Sequence, residues 1–395
     1  PLFYIVMYKT KLGLKPMDKF SKSKILNPLG IISIIVGFLG MIFISNIIVQ
    51  GAYKILLNPI TTRSEVYPLL PGVQIPGYLM LSFFHWIIAI TILAAAHEFF
   101  HGMYARKHNI KVKSSGFAFL GILLPILPAA FVEPDEKKLM KSKPRAQLEV
   151  LSAGPFANMI LFVICGIVFF SLVPLENSTY SPQGITLEPY DPTFNYTEPT
   201  ITNLVTVINN KEIITAINSK EVKSFQELEN ELKNSKPNDT VYLTLNSTIF
   251  NLTLQERGNP NKILLKIASL IDGRTLYHSD KLNLYLANNN QIYKPELISR
   301  YGWFTLKALT WTKILFLWMT LINLFVGLMN LLPIFITDGG KMIYALALAI
   351  TKSEKKSKKI WLFINFLFLA FMAILLWPWL LKLILILVSL VKKLF

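Results

Sequence analysis

Long apolar runs separated by lysine-rich stretches dominate the chain: Leu29 to Val49, Tyr78 to Tyr104, Leu148 to Val173 and Leu306 to Leu332, then an apolar tail from Ile360 to Leu394. A helix needs about 20 mostly apolar residues to cross a bilayer, and it satisfies its own amides where there is no water. Each run meets that length, so the pattern predicts at least five membrane-spanning helices. Pro378 in Trp377-Pro378-Trp379 could split the tail into two shorter helices, which leaves five or six spans open. Two segments break the pattern. Ser114 to Val132 is apolar but interrupted by Gly116, Gly121, Pro125 and Pro128, which makes it a poor spanning helix. Ile201 to Leu254 reads instead as strand (Ile213 to Ile217), turn (Asn218-Ser219-Lys220), helix (Phe225 to Leu232) and strand (Val241 to Leu245).

Composition agrees with a membrane protein: of 395 residues 53% are hydrophobic and only 16% charged, which excludes an ordinary soluble enzyme. The formal net charge of +17 would suit a nucleic-acid partner, but where the lysines sit matters more than their sum. They cluster at Lys9 to Lys24, Arg106 to Lys113, Lys137 to Arg145 and Lys352 to Lys359, each beside a span. Placing all four clusters in the cytosol gives one consistent threading, which sends Pro174 to Trp303 outside; the lipid bilayer is then the expected partner and nucleic acid is not. The N-x-S/T pattern at Asn177, Asn195, Asn238, Asn246 and Asn251 falls wholly within that outer segment, in line with the same orientation. Cys165, the one cysteine, lies in a span and offers neither an intrachain disulfide nor a cysteine metal cluster. Pro1 to Tyr8 are apolar, begin without Met and are too short for a signal peptide, consistent with the cut end of a longer chain.

The second run contains His97-Glu98-Phe99-Phe100-His101. Residues four apart share a helix face, so both imidazoles can reach one zinc ion while the intervening glutamate can take and deliver protons during hydrolysis. With five histidines in the chain, a chance match to this pattern is on the order of one in several hundred. Arg106 is the first charge beyond the motif, which puts His97 about 14 Å deeper at 1.5 Å per residue. A metal there needs a cavity closed off from lipid by the other spans.

Two histidines leave tetrahedral zinc short of a ligand. Asp338 stands out in Asn330-Leu331-Leu332-Pro333-Ile334-Phe335-Ile336-Thr337-Asp338-Gly339-Gly340, where Pro333 and the glycine pair interrupt a hydrophobic run. A broken helix at membrane depth is tolerated where it lines a cavity, and Asp338 would then point at the metal; alternatively Asp338 only caps the next helix. Asn158 and Asn330 are polar side chains in apolar surroundings, where an amide either bonds a neighbouring helix or serves the site.

These two motifs in this order, separated by an outer domain, resemble the site-2 protease family of intramembrane zinc metalloproteases, of peptidase M50 type. Phe131-Val132-Glu133-Pro134-Asp135-Glu136 resembles the segment after that family's re-entrant loop, and Ala153-Gly154-Pro155-Phe156-Ala157-Asn158 its Gly-Pro-x-x-Asn element. The resemblance implies Zn2+ on His97, His101 and Asp338, Glu98 as general acid/base, and for Asn158, with Asn330 as a similar case, a role in orienting substrate backbone or a catalytic group near the metal. It also implies that Ser114 to Val132 is a re-entrant loop whose strand edge holds unwound substrate; a buried packing loop is the alternative. Thr337 stands where the family usually has Leu, and Phe335 where a second Pro is common. The outer strands resemble a PDZ domain, with Asn210-Lys211-Glu212 in place of the usual Gly-Asp.

The expected fold class is a polytopic α-helical membrane protein of five or six transmembrane helices, with a re-entrant β-containing loop and an inserted extracytoplasmic α+β PDZ-like domain. The expected organisation is a basic cytosolic segment at 1–28, a first span at 29–50 and core halves at 78–174 and 304–351. Between the halves lies the outer domain at 175–303 (PDZ-like over about 201–254), and the last span or spans fill 360–395. The expected activity is cleavage of single-pass membrane proteins in or near their spans, in the cell membrane and from the cytosolic side. A metal transporter would also use broken helices with His and Asp at membrane depth, but it has no need of Glu98. A catalytically silent relative that binds partners through the outer domain is the other rival.

Overall fold

The computed structural model describes residues 4–11, 13–57, 69–73, 80–121, 125–189, 213–223, 227, 230–231, 239–245, 248–254, 276–278 and 282–394. In chain order the first elements are β1 (Tyr4–Thr10), α1 (Leu14–Ser21), α2 (Leu26–Leu57), α3 (Phe83–Lys107), β2 (Val112–Gly121), β3 (Pro125–Pro134), α4 (Glu136–Met140) and α5 (Pro144–Asn177). Strands β4 (Tyr180–Pro189), β5 (Ile213–Ile217), β6 (Lys220–Glu221), β7 (Thr240–Leu245), β8 (Thr248–Leu254), β9 (Leu276–His278) and β10 (Leu282–Tyr293) follow. The chain then forms α6 (Pro295–Tyr301), α7 (Trp303–Asn330), α8 (Asp338–Thr351) and α9 (Glu354–Leu394). One unit comprises Pro1–Leu172 with Trp311–Phe395, and the other Val173–Thr310.

Among the described residues, five helices are long and apolar enough to cross a membrane: α2, α3, α5, α7 and the stretch of α9 up to Pro378. The tail forms a single helix through Pro378 rather than two. The way α2 packs follows from its sequence. Gly30, Ser33, Gly37, Met41, Ile44, Ile48, Ala52 and Ile55 recur at helical spacing and are buried, while Ile31, Ile35, Leu39 and Ile42 are exposed. Small residues let backbones approach where lipid offers no hydrophobic drive between helices. Accordingly Ser33 Oγ lies 2.9 Å from Ser152 Oγ of α5.

Charge pins one end of this helix group. Glu149, with its side chain only 1% exposed, is met by Lys107 Nζ at 2.7 Å, His108 Nε2 at 2.9 Å and Arg145 Nε at 2.9 Å. Lys107 also donates to the Leu26 carbonyl at 3.0 Å, as does the Tyr104 hydroxyl at 3.3 Å. The start of α2, the end of α3 and the start of α5 are thereby joined by hydrogen bonds, and Lys107 and Arg145 carry the charge that a buried carboxylate requires.

The interrupted segment between α3 and α5 forms the antiparallel hairpin β2–β3, and β1 pairs along the other side of β2 to give the order β1-β2-β3. The strand content expected of Ser114 to Val132 is present. The three-stranded sheet gains β1 from the apolar stretch at the start of the chain, which the hydrophobic pattern alone did not show as a strand. Within the sheet, Glu133 accepts from Ser114 Oγ at 2.7 Å and from Lys9 Nζ at 3.2 Å. Between the last two core helices before the tail, Pro333 and the glycine pair end α7 and start α8, as the sequence pattern suggests. An added Cβ would lie 2.1 Å from the Leu331 carbonyl oxygen at Gly339 and 2.0 Å from that of Ile334 at Gly340, so only glycine allows the chain to fold back so closely.

In the second unit all strand pairs are antiparallel, in the order β4-β10-β9-β8-β7-β5-β6, and an additional β4–β5 pairing closes the ring. Among the described residues of its sheet, Ile214 and Ile217 of β5, Val222 just after β6, and Val241, Leu243 and Leu245 of β7 are buried. The strand, turn and strand expected at 213–217, 218–220 and 241–245 lie at β5, the turn at Asn218 and Ser219, and β7. Of the expected helix, residues 227, 230 and 231 are helical; 225–226, 228–229 and 232 lie outside the described residues, as do 201–212 and the sequons at Asn195, Asn238 and Asn246. Long β10, whose register with β4 runs from Leu284↔Pro189 to Tyr293↔Tyr180, occupies a stretch for which the sequence had suggested no element.

Candidate active site

His97 and His101 stand one turn apart on α3, with Nε2 atoms 3.1 Å apart, and Asp338 Oδ2 lies 3.3 Å from each of them. Bonds of about 2.0–2.1 Å to a tetrahedral zinc ion place its ligands about 3.3–3.4 Å apart, so the three atoms have the separations the ion requires. All three side chains are nearly enclosed, at 10, 13 and 14% exposure. The remaining described histidines with described side chains are engaged elsewhere: His85 with Ser82 and the Trp311 carbonyl, His108 with Glu149.

Helix α5 makes room for this arrangement and orients it. An added Cβ on Gly154 would lie 2.3 Å from His101 Nε2 and 2.6 Å from His97 Nε2, so the space beside both ligand atoms exists because residue 154 has no side chain. One turn earlier, the Val150 carbonyl accepts from His101 Nδ1 at 2.7 Å. That bond puts the ring proton on Nδ1 and leaves Nε2 free to bind a metal.

Asp338 is free for the same purpose because another residue caps its helix. Thr337 is the N-cap of α8 and accepts from Gly340 N at 3.3 Å, while its hydroxyl donates back to the Ile334 carbonyl at 2.9 Å. The capping alternative for Asp338 is thus filled by its neighbour. The departure from the usual leucine at 337 serves to stitch the break between α7 and α8. Phe335, the other departure, stacks edge-on against Trp361 and Phe366 of α9.

Glu98 follows His97 on α3, and its Oε2 accepts from the Val132 backbone N–H at 2.9 Å. Because the sheet order ends at β3, Val132 offers this N–H from the edge that no other described strand occupies. Asn158, fully buried on α5, places Nδ2 3.2 Å from His97 Nδ1. No hydrogen bond links Asn330, the last residue of α7, to any of these groups.

The sequence pattern of peptidase family M50 matches residues 85–372, which takes in every residue of this site. The chain belongs to peptidase family M50. The resemblance drawn from the motifs is thereby shown, and the family is one of membrane metalloproteases, in keeping with the five apolar helices. An uncharacterized protein of Methanocaldococcus jannaschii is similar to this M50 chain, with 32% identity over 247 residues, covering 58% of this chain and 56% of that protein. The match therefore spans little more than half the length of that relative.

Three site features of this M50 protein are not legible as functional groups in its motifs: the Val150 carbonyl, the Val132 amide and the empty volume at Gly154. Two are backbone groups, which any residue type supplies, and the third is the lack of a side chain. Gly154 carried a partial signal, being a helix-disfavouring residue in the middle of an apolar helix.

Proposed function

We propose that this M50 protein is a zinc endopeptidase of site-2 type that hydrolyses peptide bonds within or near the transmembrane segments of single-pass membrane proteins. The observation that carries this is the convergence of His97, His101 and Asp338 on one small space, with Glu98 beside it at the free edge of a strand. Lewis acidity, which acidifies water and polarises a carbonyl, is the chemistry zinc supplies when bound there. Glu98 takes the proton from the attacking water as its oxygen bonds to the scissile carbonyl carbon. The same carboxyl then delivers that proton to the amine nitrogen as the C–N bond breaks.

Hydrolysis needs an extended backbone, whereas a spanning helix hides its amides. The open edge of β3 can hold an unwound segment by main-chain pairing, as in strand addition. This gives the hairpin the substrate-holding role of a re-entrant loop. Asn330, half-buried and uncommitted to the ligand cluster, is the better placed of the two asparagines to meet a substrate backbone. In the threading set by the lysine clusters, the site lies toward the cytosol and 175–303 outside, in the cell membrane. Supported by the β5, turn and β7 order, the inserted unit reads as PDZ-like and as a size filter against bulky ectodomains.

The test is to incubate purified, detergent-solubilised protein with a panel of single-pass membrane proteins, alone, with a zinc chelator, and as Glu98→Gln. Cleavage by the parent and in neither control is expected. A folded, zinc-loaded parent that cuts nothing would overturn the proposal in favour of metal transport or a silent relative.

A further inference from the structure

We infer, resting on the zinc site proposed above, that Asn158 is the positioning residue for His97, its side-chain oxygen accepting a hydrogen bond from His97 Nδ1–H. His97 turns Nε2 toward His101 and Asp338, so Nδ1 is the nitrogen remote from the cluster. An imidazole that ligates a metal is neutral with a lone pair on the ligating nitrogen; its one proton must then sit on the other nitrogen and needs an acceptor. His101 has the Val150 carbonyl for this purpose at 2.7 Å. For His97, only 8% exposed, the group at hydrogen-bond distance from Nδ1 is the Asn158 amide, at 3.2 Å.

The two ends of an asparagine amide are nearly equal in size, and a half turn about the Cβ–Cγ bond exchanges them. As placed, Nδ2 faces the imidazole and Oδ1 is buried without a partner among the described residues. The half turn sets Oδ1 against Nδ1–H. The amide makes one hydrogen bond to the ring either way, so the requirement of His97 decides between them: only an oxygen at that place leaves Nε2 unprotonated and free for the metal. Packing keeps the amide there. A Cβ on Gly327 of α7 would come within 3.0 Å of Asn158 Cβ, so the neighbouring helix backbone presses on this side chain. Complete burial also makes Asn158 a poor contact for substrate, which decides between the two roles that the family resemblance implies: it orients a group of the metal site and not the substrate backbone.

The test is the Zn2+ dissociation constant of detergent-purified parent, Asn158→Leu and Asn158→Asp, measured by competition with a chromophoric chelator. Leucine matches the shape without an acceptor, and aspartate keeps the acceptor while losing the donor. Loss of an outer hydrogen bond to a metal-ligating histidine typically weakens binding about 10–100-fold, which is expected for the leucine variant, with the aspartate variant within about threefold of the parent. Unchanged affinity in N158L, or an equal loss in both variants, overturns the inference. If N158L fails to fold, Asn158→Ala replaces it as the variant without an acceptor: a loss of about tenfold or more that Asn158→Asp does not share supports the role, and near-parent affinity removes it. The readout is independent of proteolysis. A parent that binds zinc but cuts nothing defeats the proposed activity and leaves this inference intact, whereas a cutting parent whose affinity ignores residue 158 does the reverse.

Discussion

The carboxylate of Glu98 accepts a hydrogen bond from the backbone N–H of Val132 at 2.9 Å, joining the helix that carries both imidazoles to the open edge of β3. Glu98, proposed to handle the protons, and the strand proposed to hold substrate thus share a contact. A peptide pairing with this edge would compete with Glu98 for the Val132 N–H and release the carboxylate next to the bond to be cut.

Substitution of Glu98 by Gln and of Asp338 by Ala should have different effects. Glu98→Gln is expected to lower the rate of cleavage by about 10²–10⁴-fold with bound zinc unchanged, because it removes proton transfer and no ligand. Asp338→Ala should lose both, since one of the three proposed ligand atoms disappears. Metal content by mass spectrometry alongside a cleavage assay separates the two, and loss of zinc in Glu98→Gln would contradict this division of labour between proton transfer and ligation.

Gly154→Ala should abolish metal binding without weakening the helix. Alanine is favoured over glycine inside a helix by about 0.8–1 kcal/mol. Its Cβ would nevertheless lie 2.3 Å from His101 Nε2 and 2.6 Å from His97 Nε2. In excess chelator the variant is expected to melt no lower than the parent, and on adding zinc only the parent should gain stability. A variant that still binds zinc tightly would show that the space is not where the structure puts it.

Removing Glu149 should destabilise the fold by about 3–5 kcal/mol, the usual cost of leaving buried charges unpaired. Lys107 and His108, at 13 and 23% exposure, would lose their carboxylate in Glu149→Ala. Chemical unfolding in detergent measures the change, and a loss under about 1 kcal/mol would mean that water reaches the cluster freely.

The link between the hairpin and β1 should weaken in acid. The Ser114 hydroxyl, together with the Lys9 ammonium, holds the Glu133 carboxyl below its ordinary value. A carboxyl with a depressed folded-state pKa adds stability above its unfolded pKa of about 4.3, and that stability is lost as pH falls through the folded value. The difference in melting temperature between parent and Glu133→Gln is expected to be small and positive at neutral pH and to vanish at the acid end. A difference that persists there would point to packing instead of charge.

What could be read from the sequence divides by how local the signal is. His97, Glu98 and His101 sit within one helical turn, so their spacing alone implies their shared face. Asp338 is 237 residues beyond His101 in the numbering and showed itself only because Pro333, Gly339 and Gly340 break an apolar run. Thr337 reads in the sequence as a mere departure from the family, because a cap is recognised only once the helix start at Asp338 is known. The strand β10 was missed although Leu282, Leu284 and Leu286 alternate with Asn283 and Tyr285, since its partner β4 lies about a hundred positions earlier and the asparagine run that follows suggests a loop. Strand β1 was missed for a similar reason: what makes Tyr4–Thr10 a strand is the free side of β2.

The order β1-β2-β3 leaves its last strand one side that no other described strand occupies, where Val132 donates its N–H to Glu98. Backbone groups alternate in direction along a strand, so Ala130 faces the same way as Val132 and Phe131 faces β2. A peptide laid along this side can slip only by two residues at a time, because a one-residue slip turns its amides away and exchanges the faces of all its side chains. Imprecise cutting of one membrane protein would therefore leave product ends two residues apart, a ladder whose rung spacing is set by the pleat of β3 and not by the preference of any pocket.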